Sequence, residues 1–129
     1  FFKLRETRTI LNNYLPENQQ PKIEITKIEI EKFIKILNLT KDLVRRNNSK
    51  LYFVYLPEFS HYQVNYDNSN YNLVKNIVTN LKIPFIDIHE KTFDKDENPL
   101  KFFPFEMPGH YNIDGYKKVA EEIFKSTKD

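Results

Sequence analysis

Apolar residues recur at helical spacing from Ile28 to about Arg46: Ile30, Phe33, Ile34, Leu37 and Val44 share one stripe. Thr26-Lys27-Ile28-Glu29 stands just ahead of it and fits a capping box. The threonine hydroxyl and the glutamate carboxylate each satisfy a backbone N–H that a helix start leaves free. Asn47-Asn48-Ser49-Lys50 breaks the periodicity. Leu51-Tyr52-Phe53-Val54-Tyr55-Leu56 is then continuously apolar and closes on Pro57. A run without alternation predicts a strand covered on both faces, as in a parallel sheet. The polar segment Glu58–Asn70 follows, and Leu73, Val74, Ile77, Val78 and Leu81 predict a helix over 69–82. Pro84-Phe85-Ile86-Asp87-Ile88 reads as a second buried strand. Beyond the long segment His89–Met107, Val119, Ala120, Ile123 and Phe124 mark a last helix, with Asn112 placed to cap it.

Upstream of Thr26, Leu4, Ile10, Leu11, Tyr14 and Leu15 predict an amphipathic helix over 3–15, and Pro16–Pro21 reads as a loop. The order helix, strand, helix, strand, loop, helix predicts right-handed β-α-β units in an α/β fold with a doubly wound sheet. Two strands do not complete such a sheet, so further strands are expected from elsewhere. The chain opens Phe1-Phe2-Lys3, which reads as a segment of a longer protein.

Length and composition narrow the function classes. The 129 residues make one domain, and the net charge of +2 comes from lysines interleaved with acids. No block of like charge suggests a nucleic-acid groove or an anionic membrane surface. No apolar run approaches the roughly 18 residues of a membrane-spanning helix. The absence of cysteine removes disulfides and thiolate metal sites.

The densest chemistry lies in Gly109-His110-Tyr111-Asn112-Ile113-Asp114-Gly115-Tyr116-Lys117-Lys118-Val119-Ala120. A helix start fixes the turn before it, so the imidazole of His110 is held yet accessible. A general base needs that geometry before it needs a tuned pKa. His-x-Asn-x-x-Gly-Tyr-x-x-Val-Ala resembles the last conserved block of SGNH (GDSL-like) hydrolases, serine esterases on a flavodoxin-like α/β sheet. The resemblance covers the C-terminal part of such a domain, from the Tyr52–Pro57 strand onward. It implies a three-layer parallel sheet and an ester substrate, such as an O-acetyl group on a carbohydrate, and no cofactor. It also implies that His110 takes the proton of a serine hydroxyl, itself a weak nucleophile without a base.

The chain departs from the family pattern at two places. The orienting aspartate expected two or three residues before the histidine is replaced by Met107 and Pro108. Glu106, four residues ahead, and Asp87, at a predicted strand end, are the candidate orienting acids; a backbone carbonyl is the third possibility. The Gly-Asp-Ser nucleophile block and the oxyanion blocks are absent, and Ser49, Ser60, Ser69 and Ser126 all lack the strand–turn–helix setting. The missing N-terminal part of the domain would therefore supply them. The rival reading is a non-catalytic α/β domain that binds a glycan or protein partner. A further alternative is a transition-metal site from Asp87, His61, His89 and His110. Finally, Phe102, Phe103 and Phe105, set among prolines, either wall an acyl pocket or pack onto the core.

Overall fold

The structure, a computed structural model, describes residues 25–128. The helix expected over 3–15 and the loop Pro16–Pro21 lie outside these residues. The described elements are α1 (Lys27–Arg46), β1 (Phe53–Tyr55), α2 (Ser69–Asn80), β2 (Phe85–Asp87), the single-turn α3 (Ile88–Lys91) and α4 (Ile113–Thr127). Short 3-10 turns at Phe59–Tyr62, Phe93–Lys95, Pro99–Phe102 and Pro104–Glu106 fill the connections.

Helix α1 starts as its sequence dictates. The Thr26 hydroxyl accepts the Glu29 N–H at 3.3 Å, and the Glu29 carboxylate accepts the Thr26 N–H at 2.8 Å. The Thr26 N–H and then the Thr26 hydroxyl, both donating to the carboxylate, hold the Glu29 carboxyl below its ordinary pKa. Helix α2 begins where expected but stops at Asn80, two residues early. Lys82 turns into the left-handed region there, with φ of 55°, and so ends the helical path.

The strands β1 and β2 are parallel neighbours, with Phe53 opposite Phe85, Val54 opposite Ile86 and Tyr55 opposite Asp87. This is the arrangement expected of a crossover through α2, and the fold is mixed α/β. Both strands are shorter than the apolar runs that announced them. Ile88 belongs to α3 and not to β2, because the Asp87 carboxylate accepts the Glu90 N–H at 3.2 Å and caps a new helical turn. The Asp-x-His segment is therefore a strand end running into a helix, not an extended strand.

Alternating residues send the pair's side chains into two cores. On one face Leu51, Phe53, Ile83 and Phe85 pack with Phe33 and Leu37 of α1 and Val74, Ile77 and Val78 of α2. On the other, Tyr52, Val54, Ile86 and Ile88 pack with Phe59, Phe93, Phe102 and Phe103 and with Val119 and Ile123 of α4. Helical layers thus cover both faces of the pair. Among the described residues, no helix is long and apolar enough to cross a membrane.

Candidate functional site

Beyond the carboxyl ends of parallel strands, loops bring reactive side chains together without interrupting the sheet. Here that end carries the segments after Tyr55, after Asp87 and just before α4.

The turn before α4 is tied down by its backbone and presents its imidazole. Asn112 has extended backbone, and its side-chain oxygen accepts the Gly115 N–H at 2.9 Å, capping α4. Its amide group donates to the Lys101 carbonyl at 2.7 Å, and its backbone N–H donates to the Phe102 carbonyl at 2.9 Å. Gly115 is required by this approach: a Cβ there would stand 2.7 Å from the Phe102 carbonyl oxygen and 2.9 Å from Tyr111 Cβ. The Tyr111 hydroxyl donates to the carbonyl of Pro57, just past the end of β1. His110 is thereby held near the carboxyl end of β1. Its ring is exposed and, among the described residues, has no hydrogen bond, ion pair or ring contact.

Neither candidate acid is bonded to that ring. The Glu106 carboxylate accepts from the side-chain amide of Asn98 at 2.8 Å. Asp87 is 3% exposed and takes the Tyr71 hydroxyl at 2.6 Å and the Lys75 ammonium at 3.2 Å. Lys75 also meets Glu90 at 2.5 Å. Burial opposes the charge on Lys75, but its bonds to Glu90, Tyr71 and Asp87 outweigh burial and raise its pKa. The bond from Lys75 in turn holds the Glu90 carboxyl below its ordinary range.

A second group of side chains gathers at the same end. The rings of His61, on the turn after β1, and His89, on α3, have centroids 4.1 Å apart. His61 Nδ1 is 3.3 Å from the Tyr55 hydroxyl, and His89 Nδ1 is 3.3 Å from the Tyr62 hydroxyl. Tyr66 and Tyr71 complete the aromatic surround of His61. Burial, then the neighbouring His89, pushes the His61 imidazole below its ordinary pKa. Burial also raises the Tyr55 and Tyr62 phenols, which stay protonated. The structure thus brings His61 and His89 together from the proposed metal set. Among the described residues, no group of three or more His, Cys, Asp or Glu side chains is placed to hold a metal ion.

The proline-spaced phenylalanines divide. Phe102 and Phe103 are 2% and 1% exposed in the core, whereas Phe105 is 91% exposed. Phe105 and Glu106 both adopt left-handed backbone, with φ of 55° and 52°. That reversal turns the Phe105 ring outward within a few residues of His110.

The sequence groups His61 and His89 only as metal ligands together with Asp87 and His110; their packing against each other and against tyrosines, across 28 positions of chain, is not legible there. The available signal was His61, Tyr62 and Tyr66 soon after the first apolar run and His89 directly after the second. Comparison with family models, with curated proteins and with solved structures gives no match to this chain.

Proposed function

We propose that the chain forms the histidine-bearing C-terminal part of an SGNH-like ester hydrolase or acyl transferase on a flavodoxin-like sheet. His110 is the general base; a segment outside this chain supplies the serine nucleophile and the oxyanion donors. The observation carrying the proposal is the exposed His110 ring on a turn anchored by Asn112 and by the Tyr111–Pro57 bond at the carboxyl end of β1. The base takes the serine proton as the hydroxyl attacks the ester carbonyl. It then returns that proton to the departing alcohol. An exposed ring on a fixed backbone can do this once a hydroxyl is brought within hydrogen-bond reach. Phe105, exposed five positions ahead of the base, offers an apolar surface for an acyl group.

A non-catalytic α/β domain binding a glycan or protein is the second reading, favoured by a specific observation: Glu106 is engaged by Asn98, and Asp87 by Tyr71 and Lys75. One experiment separates the two. In the intact parent protein, His110→Ala should lower kcat/KM for an aryl acetate on the order of 10³-fold with an unchanged melting temperature. The 129-residue chain alone should show no comparable turnover. Ester hydrolysis by the parent that is indifferent to His110→Ala overturns the catalytic reading.

A further inference from the structure

We infer that α1 is a dimerisation helix, pairing antiparallel with α1 of a second copy of this chain about a twofold axis. Its apolar residues occupy two faces. Phe33 and Leu37 pack into the core shared with α2 and the strands. Ile28, Ile36, Leu39 and Leu43 lie on another face and are 63%, 60%, 59% and 61% accessible. Ile36, Leu39 and Leu43 recur at i, i+3 and i+7, the spacing by which two helices share a continuous seam. The helix is 20 residues long and capped at its start, so it presents about 30 Å of preformed surface.

The charges bordering the seam identify what covers it. In the antiparallel register that sets Ile36 beside Leu39 of the second copy, Leu43 meets the stem of Lys32 of the second copy. The Lys32 ammonium can reach water past that contact. The same register brings Arg46 beside Glu29 of the second copy, and Lys35 beside Asp42 of the second copy on the flank of the seam. The twofold axis repeats each of these pairings. Glu29 uses Oε2 for its helix cap, which leaves Oε1 to accept from Arg46 of the second copy. Among the described residues, Lys35 and Arg46 have no ion-pair partner. Asp42 meets Arg45 at 3.6 Å, an exposed contact that leaves the carboxylate open to a second cation.

Reversing the direction of one helix removes this complementarity. A parallel pair in register would set Lys32, Lys35, Asp42 and Arg46 each against its own copy, and like charges across a helix pair repel. The pattern is therefore complementary to itself in one orientation. The seam is short, and an interface of that size makes a weak dimer that depends on concentration. The inference concerns association and stands apart from the hydrolase reading.

Sedimentation velocity on the intact parent protein tests it. Self-association should appear between about 10 μM and 1 mM, the range of a small interface. Leu39→Glu, which puts a charge into the seam at an exposed position, should abolish association without lowering the melting temperature. Lys35→Glu and Asp42→Lys should each weaken self-association by about tenfold or more, because both flanking pairs become repulsive. Mixed together, with a fluorescent label on one variant, they should form a heterodimer as tight as the wild-type dimer. In that mixture each flanking pair is attractive again. A parent protein that stays monomeric up to about 1 mM overturns the inference. So does a dimer indifferent to Leu39→Glu or to both charge reversals, and so do single-variant losses that mixing fails to recover.

Discussion

Two regions share the carboxyl end of the sheet and differ in how their side chains are held. Around His61, His89, Tyr71, Asp87, Lys75 and Glu90, charged and polar atoms are matched by neighbours, and the rings pack against one another. In the turn before α4 the reverse holds: the backbone is fastened at Tyr111 and Asn112, and the His110 ring is free among the described residues. The first region contains more ionisable groups, yet those groups already serve each other. Moving Asp87 or Tyr71 toward a substrate would break a hydrogen bond between two buried side chains, which is costly. The second has one ionisable ring on a fixed base, which a reaction can use without dismantling anything. Chemical richness marks the support, and availability marks the candidate base.

Substitutions in each region should separate these roles. The largest effect is expected at Asp87. Asp87→Ala removes the acceptor of the Tyr71 hydroxyl and a partner of Lys75. It should cost about 3 kcal/mol in urea unfolding, as breaking a buried pair does; a loss below about 1 kcal/mol would dissolve the contrast between the regions. Next, Gly115→Ala should cost about 2 kcal/mol through overpacking, since its Cβ would press on the Phe102 carbonyl. Displacement of the turn should also alter the chemical shifts of His110. Smaller is a pH effect from His61, whose imidazole is held below its ordinary value by burial and then by His89. The unfolded ring takes up a proton near pH 6.5 and the folded ring resists it. Stability is therefore full above that pH and falls as pH drops through it toward the lower folded value. His61→Phe should flatten this slope between pH 7 and 5; an unchanged slope would assign it to other groups. The smallest change in stability belongs to His110→Ala, within about 0.5 kcal/mol, as for an exposed side chain without partners. A larger loss would make His110 structural.

Local chemistry was the legible part of the fold. Thr26 and Glu29 announce the start of α1 because a capping box is contained in four residues. The two apolar runs announce parallel strands because burial on both faces suppresses alternation. Strand ends were harder to read. Ile88 looks like a strand residue from its side chain, but the carboxylate of Asp87 diverts the backbone into α3. Asn112 and Gly115 were readable as cap and close-packing residue, both being determined within one turn of helix. What holds Asp87 was not readable, since Tyr71 and Lys75 reach it from α2 across the crossover. The division of the three phenylalanines also escaped the sequence, because it depends on the left-handed backbone at Phe105 and Glu106.

That backbone has a consequence for the unfolded chain. The protein has two glycines, neither with positive φ, while Asn48, Asn65, Lys82, Phe105 and Glu106 adopt positive φ among the described residues. Each non-asparagine among these carries on the order of 1 kcal/mol of backbone strain in the folded state. Glycine would relieve that strain while giving the unfolded ensemble more freedom to lose. At Phe105 and Glu106 the chain accepts folded-state tension and keeps its denatured ensemble stiff. It also keeps an aromatic ring facing outward, where glycine would have left only backbone.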